Sequence, residues 1–267
     1  MASATGIPDV VDPEGLGEDE PLLGRAGDAS QQAGKPLYFN LIIGQIFRAP
    51  LRSSANISPG TAVVAQAGII LLAASVWASI FLNNLILFSA HPLLNSAGIL
   101  VLTQSILILQ PTHTAGQKRQ GTIAHAWLNN FGLDFLVAGL IVIEVNKFNH
   151  NGTHFESPHA ILGLTTYILL AIQTFVGFTQ YFVPQLYGSV ERAKSLYKWH
   201  RISGYVVLVF LLATVAAATQ TTFNKTILDI KLWAVLISAA LVLIGVFPRI
   251  KKQKLGLGPK ASGAFGQ

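Results

Sequence analysis

Four histidines stand at the starts of four successive apolar runs: His91 in "AHPLLNSAGILVLTQSILIL", His125 in "IAHAWLNNFGLDFLVAGLIVI", His159 in "SPHAILGLTTYILLAIQTFVGF" and His200 in "KWHRISGYVVLVFLLATVAAAT". An imidazole ring can ligate a metal through a neutral nitrogen, carry a proton, or rest at a wet boundary with one side dry. A single histidine at such a position is most simply an interfacial residue. Four in succession, each at the same place in its run, call for a shared chemistry.

The runs that carry them are long enough to cross a bilayer, which takes about 20 apolar residues per helix. The chain of 267 residues is 51% hydrophobic and 11% charged, against about 25% charged in ordinary soluble domains. No Asp, Glu, Lys or Arg occurs from Ser53 to Gln117. These features predict an all-α integral membrane protein with six spans, at about 61–88, 92–110, 123–145, 159–183, 201–220 and 229–248. The expected organisation is an acidic cytosolic tail over 1–35, an interfacial linker over 36–58, a transmembrane domain over 59–248 and a basic cytosolic tail over 249–267. Seven of the twelve acidic residues fall in the first segment, and its composition is that of a disordered tail. There is no cysteine, which excludes disulfides, thiolate metal sites and covalent haem attachment. The net charge of +6 is scattered between spans and gives no nucleic-acid signal.

Lys and Arg orient the bundle. With the N-terminus in the cytosol, fifteen of the eighteen basic residues fall on the cytosolic side, leaving Lys147, Lys225 and Lys231 opposite. Both termini are then cytosolic. The sequons at Asn151 and Asn224 fall in non-cytosolic loops, and that at Asn56 on the cytosolic side.

In this orientation the histidines sort into two layers. His91 and His159 lie near the outer surface, and His125 and His200 near the inner one. An iron macrocycle takes one axial ligand above and one below, so each layer suits a bis-histidine b-type haem, with small residues Gly98, Gly132, Gly163 and Gly204 leaving room for the ring. A single four-ligand zinc site is a poorer fit, because the layers are separated by most of the roughly 30 Å that a 20-residue helix spans.

The spacing of His91, His125, His159 and His200, with "HPLL" at the second span and "SPHAILGL" at the fourth, resembles the cytochrome b561 family over roughly residues 60–248. The resemblance implies a six-helix membrane bundle with a four-helix core holding two non-covalent haem b groups. His91 and His159 would ligate the outer iron, and His125 and His200 the inner one. It implies a transmembrane oxidoreductase that carries electrons from a cytosolic reductant such as ascorbate to monodehydroascorbate or ferric iron outside. Lys118 and Arg119 would meet the reductant; Gln120 stands where many members carry lysine. Ser157 matches the family's serine two residues before the outer ligand, and His150 and His154 lie in the loop that would face the acceptor. Arg201 beside His200 is placed to pair with haem propionates.

Asp134, nine residues beyond His125, is an intramembrane acid, costly unless used or paired. It is expected either to serve a haem ligand or a coupled proton, or to bond a polar neighbour on another helix. "EDEPLL" in the tail resembles an acidic dileucine signal for a vacuolar or lysosome-like membrane, with the plasma membrane as the alternative. Membrane lipid surrounds the bundle, and a homodimer is one assembly open to it. The competing function is a haem-free transporter or scaffold that keeps the helical shell, which predicts that all four histidines tolerate alanine.

Overall fold

The computed structural model describes residues 61–110, 112, 115–250 and 255. The acidic tail, its dileucine motif, the 36–58 segment, the Asn56 sequon and most of the basic C-terminal tail lie outside them. Among the described residues there are seven α-helices and no strand. They are α1 (Thr61–Phe81), α2 (Ala90–Leu109), α3 (Ala115–Asn149), α4 (Pro158–Phe182), the short α5 (Val190–Ser195), α6 (Tyr197–Ala218) and α7 (Leu232–Val246). Six of these helical stretches are long and apolar enough to cross a membrane, α5 and α6 counting as one.

The helices are apolar around most of their circumference, as expected where one side meets lipid and the other meets protein. The core is a seam of small and branched residues. Ala62, Ala65, Ile69 and Leu72 of α1 pack with Val235, Ala239, Val242 and Val246 of α7. Polar side chains strengthen the contact between α1 and α2. Gln66 and Gln104 exchange amide hydrogen bonds at 2.5 and 2.7 Å, and the Trp77 indole N–H donates to Ser96 Oγ at 2.9 Å. Away from water such pairs satisfy groups that would otherwise be costly to bury.

The other four long helices form two pairs, α2 with α3 and α4 with α6, and α3 and α4 pack far less against each other than against their own partners. Gly98 and Gly132 allow the first pair to approach closely. A Cβ on Gly98 would lie 2.9 Å from the Gly132 carbonyl oxygen, and one on Gly132 would lie 3.3 Å from that of Gly98. The expectation that these two glycines make room for a macrocycle is therefore corrected: they make room for the neighbouring helix. Gly204 is likewise occupied, its position facing the Gln173 amide at 3.0 Å, whereas Gly163 has only Thr214 within reach, at 3.8 Å.

Several boundaries differ from the sequence reading. The first long helix ends at Phe81, and a 3₁₀ turn, Leu87–Ser89, leads into α2. The third begins at Ala115, so Lys118 and Arg119 lie on its first turns and not in a preceding loop. Asn224 also changes meaning. Its buried amide donates to the carbonyls of Thr219 and Ile230 and accepts from the Ile230 N–H. It knots the turn between α6 and α7 and offers no free nitrogen to a glycan, while Asn151 is exposed in the loop after α3.

Candidate haem-binding site

His91 stands one residue into α2 and His159 one residue into α4, behind the cap formed by Ser157, whose Oγ accepts from the Ala160 N–H at 3.1 Å with Pro158 at the first helical position. The two rings meet edge to face, with centroids 6.1 Å apart. Two imidazoles sharing one metal, each bonded at about 2 Å, would have their centroids roughly 6 Å apart. The observed spacing is one that two ligands of a single metal would have. Phe88 stacks on His91, centroids 5.5 Å apart and nearly parallel, and meets Phe223 edge-on.

Each ring of this layer has its Nδ1 on a backbone carbonyl of the paired helix. His91 Nδ1–H donates to Gly139 O at 2.9 Å and His159 Nδ1–H to Thr214 O at 3.0 Å. Such a bond fixes the tautomer and leaves Nε2 unprotonated, as a metal requires. Asn95 donates to the His91 carbonyl at 2.8 Å, and its Oδ1 accepts from the Tyr167 hydroxyl at 2.9 Å. Tyr167 also reaches Leu136 O, at 2.6 Å. It is thus a polar bridge between the two helix pairs, between the histidine layers.

In the second layer, His125 Nδ1 has Ser105 O at 3.0 Å and Ser105 Oγ at 2.7 Å, and that hydroxyl also lies 3.1 Å from His125 O. His200 differs. Its Nδ1 is buried without a hydrogen-bond partner, its Nε2 lies 3.5 Å from the Gln173 amide nitrogen, and its ring rests on Gly177, where a Cβ would come within 2.6 Å of Cε1. A cavity of about 540 Å³ opens beside it, lined by Val176, Gln180, Trp199, Ser203 and Val206 among others. Gln180 Oε1, also buried and unpartnered, belongs to the same lining.

One rule connects the rings. Ser105 is fourteen residues beyond His91, Gly139 fourteen beyond His125, and Thr214 fourteen beyond His200. In three of the four cases the residue fourteen past one histidine receives the Nδ1 of the histidine on the paired helix. Fourteen residues of α-helix rise about 21 Å, which sets the distance between the layers.

The remaining sequence candidates are placed as follows. Ser157 serves as the α4 cap. His154 pairs with Glu144 at 3.2 Å and lies against Phe148 and Phe155. His150 turns back onto Asn146 O at 2.7 Å, so the two loop histidines make different contacts and form no shared cluster. Arg119 is exposed. Arg201 lies 5.9 Å from the centre of the Tyr197 ring. Asp134 is exposed on α3, on the face opposite His125, and among the described residues it bonds to no other helix, which corrects the expected bonds to a haem ligand and to a neighbouring helix. Ser105, Gly139, Thr214, Asn95, Tyr167, Gln173 and Gly177 are contacts that the sequence reading missed; Ser105, Gly139, Thr214 and Gln173 share a fourteen-residue offset from a histidine, which gains meaning only from the packing of the paired helices.

The profile described as eukaryotic cytochrome b561 matches residues 90–227. The lysosomal membrane ascorbate-dependent ferrireductase CYB561A3 of Mus musculus is 33% identical over 105 residues, 38% of this chain and 43% of that protein. The probable ascorbate-specific transmembrane electron transporter 1 of Oryza sativa subsp. japonica is 28% identical over 133 residues, 49% of this chain and 56% of that protein. The transmembrane ascorbate-dependent reductase CYB561 of Homo sapiens is 25% identical over 126 residues, 47% and 49% of the two chains. The chain spans about half the length of the curated relatives it matches. The matched region contains all four histidines and both helix pairs, and the chain is a multi-pass membrane protein of the cytochrome b561 family, whose members bind haem.

Proposed function

We propose that this protein carries electrons across a membrane between two b-type haems, from an ascorbate-like reductant on the cytosolic side to monodehydroascorbate or ferric iron on the other. The observation that carries the reading is the spacing of the His91 and His159 rings, already that of two ligands to one metal. The fourteen-residue offset, which sets the His125/His200 layer about 21 Å from the first, supports it. Each haem, when bound, supplies reversible one-electron storage tuned by its ligands and surroundings. The chain's own residues do the rest. The carbonyls of Gly139, Thr214 and Ser105 hold three rings in the ligating tautomer. The apolar helices exclude water, and Tyr167 ties the two helix pairs together between the layers. Lys118, Arg119 and Arg201 put positive charge at the inner end, where an anionic reductant is drawn in. His154, Glu144 and His150 put polar side chains at the acceptor end. The basic-residue bias favours cytosolic termini, and the similarity to lysosomal membrane ferrireductases favours a lysosomal membrane.

The test is haem content with a dithionite-reduced minus oxidised spectrum of the purified protein, then ascorbate-driven reduction of an acceptor enclosed in proteoliposomes. Two low-spin haems per chain and acceptor reduction across the bilayer are expected. Haem-free protein, or acceptor reduced only on the ascorbate side, overturns the reading. Membership of a cytochrome family argues against the haem-free transporter or scaffold.

A further inference from the structure

Three of the four rings obey one geometry, and the fourth obeys another. By the fourteen-residue rule the partner position for His200 is residue 173, fourteen beyond His159. The other three partner positions hold Ser105, Gly139 and Thr214, and each gives a backbone carbonyl to an imidazole Nδ1. Residue 173 is a glutamine, and its side chain, not its carbonyl, meets the histidine. Gln173 Nε2 donates to the His200 carbonyl at 2.6 Å and lies 3.5 Å from His200 Nε2. Its Oε1 accepts from Ser203 Oγ at 2.6 Å, and that hydroxyl is also within 2.8 Å of Trp199 O and 3.2 Å of His200 O.

We infer that Gln173 is the positioning residue of His200. It is a side-chain clamp that stands where the other three ligands have a carbonyl, and it makes the His125/His200 centre adjustable while the His91/His159 centre is fixed. The inference rests on the two-haem reading above. Its physical content is as follows. A carbonyl within a helix cannot move without the helix, so it fixes its ring. An amide on three rotatable bonds can move. In this structure the Gln173 amide nitrogen stands beside Nε2, the atom that would face iron, and Nδ1 has no acceptor. Ligation at Nε2 requires the amide to withdraw, and the buried Nδ1–H then needs an acceptor; the candidates are Gln173 Oε1, on the moving amide, and Gln180 Oε1, unpartnered on the lining of the same cavity. Gly177 makes the packing possible: with no Cβ there, the ring can lie directly on α4, where a Cβ would stand 2.6 Å from Cε1. A partner of this kind changes the electron donation of its histidine and hence the properties of the bound metal.

The experiment uses the full chain loaded with haem, in the parent form and as Gln173→Leu, Gln173→Glu and Gln180→Leu. Spectroelectrochemical titration gives two midpoint potentials, and electron paramagnetic resonance of the oxidised protein gives two low-spin signals. Expected for Gln173→Leu is a shift of one potential and one signal with the other pair unchanged, and an approximately tenfold faster loss of haem from the shifted centre, in the range typical of such partners. Gln173→Glu, which keeps an acceptor oxygen, restores haem retention at that centre. Parent protein that binds two haems, with both potentials and both signals unmoved in Gln173→Leu, overturns the inference and leaves the two-haem reading intact. Equal shifts at both centres also overturn it, because they indicate a general structural role. Parent protein with no haem sinks the reading beneath it instead.

Discussion

The two histidine layers are built from the same parts and differ in readiness. In the His91/His159 layer both rings are held by carbonyls, stand 6.1 Å apart, and are flanked by Phe88. In the His125/His200 layer one ring is held by Ser105, while the other sits on Gly177 with a buried nitrogen unpaired. Both layers use one α2–α3 residue and one α4–α6 residue, so helix pairing does not account for the contrast. It comes from single residues, above all Gln173 and Gly177. Preorganisation lowers the cost of binding because less freedom remains to be lost. The first layer should therefore take haem more readily than the second.

The largest effect that separates the layers comes from removing one ligand from each. His91→Ala and His125→Ala should each reduce haem from two per chain to one, measured by haem quantification against protein. The comparison sharpens under partial loading. With haem limiting, parent protein should show the spectrum retained by His125→Ala, because the ready layer fills first. Filling in the opposite order would refute the difference in readiness. Next in size is Gly177→Leu. Its side chain would start 2.6 Å from the His200 ring, so this layer alone should lose haem. Loss of both haems in Gly177→Leu would mean that the substitution unfolds the α4–α6 pair, and the folded state would be checked by thermal unfolding.

The sequence disclosed the layers but not what makes them unequal. Six apolar runs of bilayer length fix the number of spans, and the histidines at the starts of four of them fix the alternation of the rings between two surfaces. That reading depends only on helix rise and hydrophobicity, both local properties. What it missed depends on rotation about the helix axis and on the packing of neighbours. Gly98 and Gly132 looked like space for a cofactor and are space for a helix. Asp134 looked like a functional acid because it is in mid-span, but nine residues from His125 turn it through half a circle to the outer surface. Asn224 matched a glycosylation motif, and three hydrogen bonds bury it. Lys118 and Arg119 were placed before a helix that in fact begins several residues earlier, because polar residues at a membrane boundary do not stop a helix. The fourteen-residue offsets were present in the sequence. They could be recognised only once reciprocal contacts between paired helices gave them meaning.

A smaller effect tests the bridge between layers. Tyr167→Phe removes the hydroxyl that reaches Asn95 and Leu136. The cost should be about 1 kcal/mol, the net worth of an ordinary hydrogen bond, read as a lower unfolding midpoint. Asn95 is one turn from His91 and bonds its carbonyl, so any change in potential should appear at the His91/His159 centre. A shift confined to the other centre would break the proposed connection.

The smallest effect concerns Ser157, for which two roles compete. As an N-cap it satisfies the Ala160 N–H and steadies the turn that presents His159. Loss of a cap costs about 1 kcal/mol, while Asn caps about as well as Ser. As an acceptor contact it would matter through its hydroxyl. Ser157→Ala and Ser157→Asn separate the two. If the cap is what matters, Ser157→Ala lowers the unfolding midpoint slightly, Ser157→Asn restores it, and KM for the acceptor is the same in all three proteins. If the hydroxyl contacts the acceptor, KM rises in both variants, including the one whose stability is restored. The cap geometry predicts the first pattern, because an oxygen engaged by the Ala160 N–H at the base of α4 is committed to the helix that carries the ligand.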